Sequence, residues 1–319
     1  MAGGCCIGVD LGGTKLIAGA VDSQLTVRHR AWRSSRGADR GAVLDTIVEA
    51  VTEARESYDE ELLAVGVGIP SLIDRKRGVA VTTVHLPLTD VPVRDLLAER
   101  LGVPVVLDND ATCATIAEWR FGAARGARDA LVLTLGTGIG GGIVCNGELV
   151  RGASGAAGEF GHMIVDEDGP PCPCGRWGCL EALASGTALG SEGLRLAQER
   201  PDSELGRALA AGQDITGFLV TELAHDGDAA AGEAVALVGA RLGIGIASLV
   251  NVFNPELVVV GGGVSAAGEL LLAPAREVVM ARALAPSRDV AQIVPARFGA
   301  ESGMLGAAAL AWDGVSGDG

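Results

Sequence analysis

Three cysteines and a histidine are the first residues in this sequence whose types and spacing could do chemistry. The run Cys172-Pro-Cys174-Gly-Arg-Trp-Gly-Cys179 crowds three thiols into one short stretch, and His162 lies ten residues before the first of them. Pro170, Pro171, Pro173 and the glycines make this stretch a loop, where packing alone does not call for three thiols. Three Cys and one His complete a tetrahedral zinc set with no position left for water. The ion is therefore expected to be structural and not a Lewis acid in a reaction. Glu159 and Glu181 bracket the loop. Two carboxylates and an imidazole edge suit hydrogen bonds to vicinal sugar hydroxyls, while either glutamate alone also fits solvated surface or a helix start.

A second candidate is Leu107-Asp108-Asn109-Asp110, where a strand hands over to a helix. Asp110 fits two roles there. It could be a simple N-cap. Spacing alone favours the cap; the functional reading makes Asp110 the general base that takes a hydroxyl proton as that oxygen attacks the γ-phosphate of a nucleotide, with Asn109 holding a neighbouring hydroxyl.

Three glycine-rich turns follow three apolar runs: Gly12-Gly13 after residues 7–9, residues 136–142 after 131–135, and residues 261–263 after 257–260. Such turns let backbone N–H groups approach a phosphate closely. Any one of them reads as a tight turn in a Gly-rich chain; all three together favour phosphate and nucleoside binding. The first turn also holds Asp10, Thr14 and Lys15. An Asp at a strand end can bind Mg²⁺ through water, and Thr and Lys add a hydroxyl and a cation. None of the three is a Walker A loop or a complete dinucleotide fingerprint.

These groups need a scaffold of strands ending at the glycines. Strands are expected over 5–9, 16–21, 25–30 and 62–69, the last stopped by Pro70. A helix over 39–58 puts Val43, Ile47, Val48, Val51 and Ala54 on one face. Asp90 is expected to cap a helix through residue 101, with Pro92 in its first turn. A strand over 103–107 and a helix over 111–121 follow. The sequence then partly repeats: a strand over 130–135, a glycine turn, and partner strands over 142–145 and 148–150. That is a weak internal duplication, of the kind seen when two similar lobes clasp a ligand. Segment 152–181 is irregular, helices fill most of 186–254, strands are expected over 257–260 and 290–294, and a last helix over 302–312.

The 319 residues suit two lobes or one large α/β unit, and 48% apolar content calls for a sizeable core. A net charge of −15 repels nucleic acid and anionic membrane as a whole. No run of eighteen apolar residues predicts a membrane span, residues 1–9 lack a basic leader, and a cytoplasmic location is expected. Seven cysteines, an odd number with three in one loop, do not form a disulfide framework. Cys5, Cys6, Cys113 and Cys145 are expected to be buried free thiols.

Taken in order, Asp10-Leu-Gly-Gly-Thr-Lys15, Asn109-Asp110-Ala111, Leu135-Gly-Thr-Gly-Ile-Gly-Gly-Gly142, Gly158-Glu-Phe-Gly-His162 and Cys172-x-Cys-Gly-x-x-Gly-Cys-x-Glu181 resemble the ROK family (repressors, open reading frames and kinases), and within it the bacterial glucokinases. The resemblance spans nearly the whole chain, and its cysteine loop is the most specific part. It implies an actin-like, ribonuclease H-like ATPase fold: two α/β lobes around a central cleft. The small lobe would be residues 1–118, joined by the C-terminal helix at about 301–314, and the large lobe 119–300 with the zinc loop. By the same resemblance Asp110 is the catalytic base. Asn109, Asp110, Glu159, His162 and Glu181 contact the sugar, His162 through the ring nitrogen that does not serve zinc. Asp10, Gly12, Gly13, Thr14, Lys15, Thr137, Gly138 and Gly262 line the ATP–Mg²⁺ site. His162, Cys172, Cys174 and Cys179 hold structural Zn²⁺. Family members are commonly dimers or tetramers, so a homodimer or homotetramer is expected. Family repressors carry an N-terminal DNA-binding motif, for which the stretch before Asp10 leaves no room; a kinase acting on sugar and ATP, with no nucleic acid or membrane partner, is the expectation.

The sequence departs from the glucokinase pattern at three places. Asp108 stands where Glu is usual, Ser71 stands where Gly is usual after Pro70, and Val84-His85-Leu86-Pro87-Leu88 has His85 in place of Asn and lacks a Trp. The last two lie near the expected sugar site, so mannose, glucosamine, N-acetylglucosamine or another hexose stands beside glucose as substrate. A sugar-sensing homologue without turnover, and polyphosphate as donor, are further alternatives. The retained Asp110 and Asp10 argue against the first, and the acidic charge argues against the second.

Overall fold

A computed structural model describes residues 4–13, 15–35, 39–56, 58, 60–83 and 86–317. Thr14 and His85 fall outside these. Contacts divide the chain into two compact units, Met1–Phe121 with Val150–Ala157 and Glu301–Gly319, and Gly122–Leu149 with Gly158–Ala300.

The first unit is built on β1 (Cys5–Leu11), β2 (Lys15–Val21) and β3 (Val27–Ser34), an antiparallel meander. Its first hairpin is closed by the Gly12 N–H, which donates to the Lys15 carbonyl at 2.8 Å. Helix α1 (Arg40–Glu56) buries Val43, Ile47, Val51 and Ala54 of the predicted face; Leu44 and Ala50 are buried with them, while Val48 is only half-buried. Strand β4 (Leu62–Ile69) then pairs parallel with β1. A short hairpin of β5 (Ser71–Asp74) and β6 (Val79–Thr83) follows, then α2 (Val93–Leu101), β7 (Val105–Asn109) parallel to β4, and α3 (Asp110–Arg120). The sheet order is β3-β2-β1-β4-β7.

The expected cap at Asp90 is overturned. Asp90 has φ 56°, and the residue preceding α2 is Pro92. Val91 exchanges both backbone hydrogen bonds with Ala80, at 2.9 and 3.2 Å, so the chain is held extended there and the helix cannot begin before Val93.

The second unit repeats the plan. It has β8 (Ala130–Leu135), β9 (Ile139–Cys145) and β10 (Glu148–Val150), then a helical stretch of α4 (Leu180–Ala184), α5 (Gly186–Glu199), α6 (Glu204–Ala210), α7 (Gly217–His225) and α8 (Ala229–Phe253). The chain closes the unit with β11 (Leu257–Gly261), α9 (Glu269–Arg282), α10 (Ser287–Val290) and β12 (Gln292–Pro295). The order β10-β9-β8-β11-β12 mirrors the first sheet, with β11 parallel to both β8 and β12. The expected strand over 290–294 starts two residues late, because Gln292 is the partner of Leu257 and Ser287–Val290 is helical. Cys5, Cys6 and Cys113 are buried as expected, but Cys145 is exposed, since β9 ends there at the Asn146-Gly147 turn. Helix α8 has the length and apolar composition of a membrane span, and it buries Val235, Val238, Leu242 and Ile246 within its unit.

The last helix, α11 (Ser302–Ser316), returns to the first unit and lies across β1 and β4. Gly66 makes this possible: a Cβ there would sit 1.8 Å from the Ala307 carbonyl oxygen. At the start of α11 the Ser302 hydroxyl donates to Glu118 Oε1 at 2.8 Å, and both residues are buried. Ser302→Ala is expected to cost about 2 kcal/mol, the range for a hydrogen bond to a buried charged group. Denaturant melts check it, and a loss under about 0.5 kcal/mol, the size of a neutral surface change, would contradict it.

Candidate functional site

In the first unit the candidate groups collect at the carboxyl ends of β1 and β7. The Asn109 side chain, not Asp110, caps α3: Asn109 Oδ1 accepts the Thr112 N–H at 2.9 Å. The N-cap reading of Asp110 is thereby excluded. Asp110 is the first residue of the helix, with Oδ1 accepting the Ala111 N–H at 2.9 Å. The Asn109 amide also donates to the Ser71 carbonyl at 3.3 Å. Ser71, a departure from the glucokinase pattern, is buried and turns its hydroxyl to the Thr82 carbonyl at 2.9 Å, so it meets Asn109 through its backbone.

Asp10 is the one half-buried position of β1, between the fully buried Val9 and Leu11. Burial pushes its carboxyl up to about 8, and the like charge of Asp110 adds to the rise. Helix α11 closes over it at Gly303, where a Cβ would lie 2.4 Å from Asp10 Oδ2 and would displace the carboxylate. Lys15 is exposed at the start of β2. A carboxyl held partly protonated by burial is one that a cation would ionise, and this fits Asp10 to a divalent ion.

The sign of the stability effect follows. A carboxyl with a folded pKa above its unfolded value binds its proton more tightly when folded. Its contribution favours folding at low pH and is lost as pH rises from about 4 to about 8. Without divalent cations, Asp10→Asn should therefore melt progressively higher than the unsubstituted protein across that window. An equal difference in melting temperature at pH 5 and pH 8.5 would contradict the assignment.

The second unit holds the cysteine loop. His162, Cys172, Cys174 and Cys179 bring their ligand atoms within 4.8 Å of one another. Cys174 and Cys179 sulfurs are 3.7 Å apart, and Cys172 Sγ is 3.9 Å from His162 Nδ1. Zinc–sulfur bonds of about 2.3 Å put tetrahedral sulfurs about 3.8 Å apart, whereas a disulfide needs about 2.05 Å. The donor set and its spacing therefore fit zinc. The Arg176 backbone N–H holds the Cys174 thiol down to about 7, while burial pushes Cys172 up to about 12 and raises Cys179. Three thiolates do not coexist at neutral pH in that setting without a cation among them.

With Nδ1 in the cluster, His162 Nε2 faces Glu159 Oε2 at 3.9 Å, and Glu159 is exposed. Glu181, in the first turn of α4, is not solvated surface: its Oε2 accepts the Ile139 N–H at 2.8 Å. That bond ties the cysteine loop to the glycine turn of residues 136–142. Thr137 is exposed in the same turn, and its carbonyl accepts the Thr187 hydroxyl at 2.8 Å. Gly138 lies against the Glu181 carboxylate. Gly262 has φ 82° and its absent Cβ would meet the Leu135 carbonyl at 2.4 Å, so the third glycine turn packs directly beneath the second. Thus Thr137, Gly138, Gly262, Glu181 and the Cys/His cluster belong to one unit, and Asp10, Gly12, Gly13, Lys15, Asn109 and Asp110 to the other.

Sequence reasoning missed Arg151. Its Nη1 donates to Asp108 Oδ1 at 3.0 Å and lies 2.7 Å from Oδ2, against a carboxylate that is almost fully buried. Arg75 Nε stands further off, 3.5 Å from Oδ2. Nothing in the sequence pointed to it, because the burial of Asp108 that calls for a cation shows only in the fold.

A sheet of meander plus parallel strands occurring twice, with glycine turns at the strand ends and an aspartate opening a helix, defines the actin-like ATPase class. Residues 6–313 match the pattern of the ROK family, and the chain belongs to that family. It is 36% identical over 316 residues to a glucokinase of Streptomyces coelicolor, covering 97% of this chain and 98% of that one. It is 35% identical over 305 residues to a glucokinase of Halalkalibacterium halodurans, covering 94% and 92%. Among solved structures it resembles a ROK family glucokinase from Streptomyces griseus in complex with glucose and AMPPNP, with TM-score 0.90, 37% identity, and coverage of 97% of this chain and 100% of that one. The family and fold class implied by the sequence motifs both hold.

Proposed function

We propose that this protein is an ATP-dependent hexose kinase that transfers the γ-phosphoryl group of ATP to the 6-hydroxyl of glucose. The observation that carries the reading is the full-length likeness to glucokinases, one of them bound to glucose and AMPPNP, in a chain that keeps an aspartate at the first position of α3. In the reaction Asp110 takes the proton of the attacking hydroxyl, O6 bonds to the γ-phosphorus, and ADP departs with the bond electrons. Asn109 orients the sugar in the first unit; Glu159, His162 and Glu181 bind hydroxyls in the second. The ATP site comprises Asp10, Gly12, Gly13, Thr14, Lys15, Thr137, Gly138 and Gly262, whose backbone N–H groups and cation suit phosphate. Mg²⁺, held near Asp10 through water, would neutralise charge on the phosphates. Zinc on His162, Cys172, Cys174 and Cys179 would be structural, fixing His162 and the loop that ends at Glu181. The reading extends to a homodimer or homotetramer in the cytoplasm, for which light scattering tests the assembly.

A second reading keeps the mechanism and changes the sugar. It rests on the departures from the glucokinase pattern beside the expected sugar site: His85 in place of Asn with no Trp in residues 84–88, and Ser71 in place of Gly after Pro70. The test is initial rates with glucose, mannose, glucosamine, N-acetylglucosamine and fructose, each with ATP–Mg²⁺ and with polyphosphate. Highest kcat/KM for glucose with ATP is expected. A larger value for an amino sugar or mannose would replace glucose, and turnover with polyphosphate alone would replace the donor.

A further inference from the structure

We propose that Arg151 is a positioning residue for the sugar-binding corner: acting through Asp108, it fixes the Asn109–Asp110 step. The inference rests on the reading of Asn109 as a hydroxyl ligand and Asp110 as the base.

Asp108 has a side chain only 4% exposed. A buried carboxylate without a partner costs several kcal/mol, so what neutralises it matters. Arg151 is 25% exposed and touches both carboxylate oxygens, whereas Arg75 is 44% exposed and lies outside hydrogen-bond alignment at 3.5 Å. Burial first, and then the charges of Asp108, Asp10 and Asp110, push the Cys113 thiol of α3 upward, and Arg151 pulls it down. Arg151 is thus a cation beside the start of α3, held there by its contact with Asp108. The chain brings it there deliberately: after β10, residues 150–157 count with the first unit, and Gly155 at φ 85° sits on the Ile73 carbonyl of β5.

The path from Arg151 to the site is short. Asp108 Oδ1 accepts both the Arg151 Nη1–H and the Asn109 backbone N–H, at 3.0 and 2.9 Å. The same Asn109 caps α3 through its side-chain oxygen and reaches Ser71 through its amide. If the cation is removed, the buried Asp108 carboxylate loses its partner and turns away from the Asn109 N–H that it now accepts. Asn109 then lacks a fixed acceptor, and the cap residue and Asp110 beyond it shift together. Sequence numbering hides this link, because the partners are 43 residues apart.

The test compares Arg151→Ala, Arg151→Lys, Asp108→Asn and the Arg151→Ala/Asp108→Asn double variant, by steady-state kinetics and thermal melts. Arg151→Ala should lower kcat/KM for glucose about 30-fold, the scale for a sub-ångström misplacement, with KM for ATP within about twofold. Arg151→Lys keeps the charge without the planar fork and should recover part of the loss. Guanidinium chloride in the tens of millimolar should raise the rate of Arg151→Ala and leave the unsubstituted protein unchanged. The double variant should be no slower than Arg151→Ala alone, since both changes break one link. Fully additive losses, or a KM for ATP that rises as much as that for glucose, would overturn the inference. If Arg151→Ala does not fold, Arg151→Lys and Asp108→Asn give the same KM comparison without opening a cavity. Normal turnover in Asp110→Asn would end the base reading, while the glucose KM of the Arg151 variants would still decide the positioning role.

Discussion

Asp110→Asn is expected to lower kcat by about a thousandfold while the dissociation constant for glucose stays within about threefold, the signature of a lost general base. The substitution is nearly isosteric, and it leaves the geometry that holds the corner. Asn109 still caps α3 through Thr112, and an amide oxygen can still accept the Ala111 N–H that Asp110 Oδ1 accepts now. What the variant lacks is a group able to accept a proton. Removing the Asp110 charge also takes away one of the two causes that push the Asp10 carboxyl up to about 8. The variant should therefore be at least as stable as the unsubstituted protein at pH 8. Rapid-quench kinetics with calorimetric glucose binding separate the effects, and a kcat within tenfold of normal would remove Asp110 from the mechanism.

Cys174→Ser is expected to reduce bound zinc from about one ion per chain to a small residue, and to raise KM for glucose about tenfold with little change in KM for ATP. Cys174 is the thiol closest to ionisation at neutral pH and lies 3.7 Å from Cys179. Serine in its place cannot supply a thiolate. The effect on sugar follows from His162, whose Nδ1 belongs to the metal cluster while Nε2 faces Glu159. Without the ion the imidazole loses its orientation. Glu181 should change less, because Ile139 holds it independently at 2.8 Å. Elemental analysis, limited proteolysis of the loop and glucose titration are the readouts. Full zinc occupancy with unchanged sugar affinity would sink the structural role.

The parts of this protein that are local in sequence were legible before any coordinates. The four candidate zinc ligands lie within 162–179, and the structure brings their ligand atoms within 4.8 Å of one another. The duplicated sheet was visible as two apolar runs, each followed by glycines and a meander, and the strand orders repeat it. The β5–β6 hairpin was not seen, because Asp74-Arg75-Lys76-Arg77-Gly78 reads as a polar loop and its flanking strands are short. That omission also led to the wrong cap at Asp90, since the bridge between Ala80 and Val91 is what delays α2. At the strand-to-helix corner the sequence offered Asp110 as the cap and Asn109 only as a hydroxyl ligand; the Asn109–Thr112 bond moves the cap one residue back. Arg151 carried no sequence mark at all, because a salt bridge between distant segments has no spacing rule to betray it.

Phosphorus NMR of zinc-loaded, folded protein with glucose and ATP–Mg²⁺ decides whether this chain makes glucose 6-phosphate from glucose and ATP. Equal amounts of ADP and of a phosphoester on O6 are expected, with neither formed by Asp110→Asn on the same timescale. ADP released without a sugar ester, an ester at another carbon, or no turnover from the folded, metal-loaded protein would contradict it.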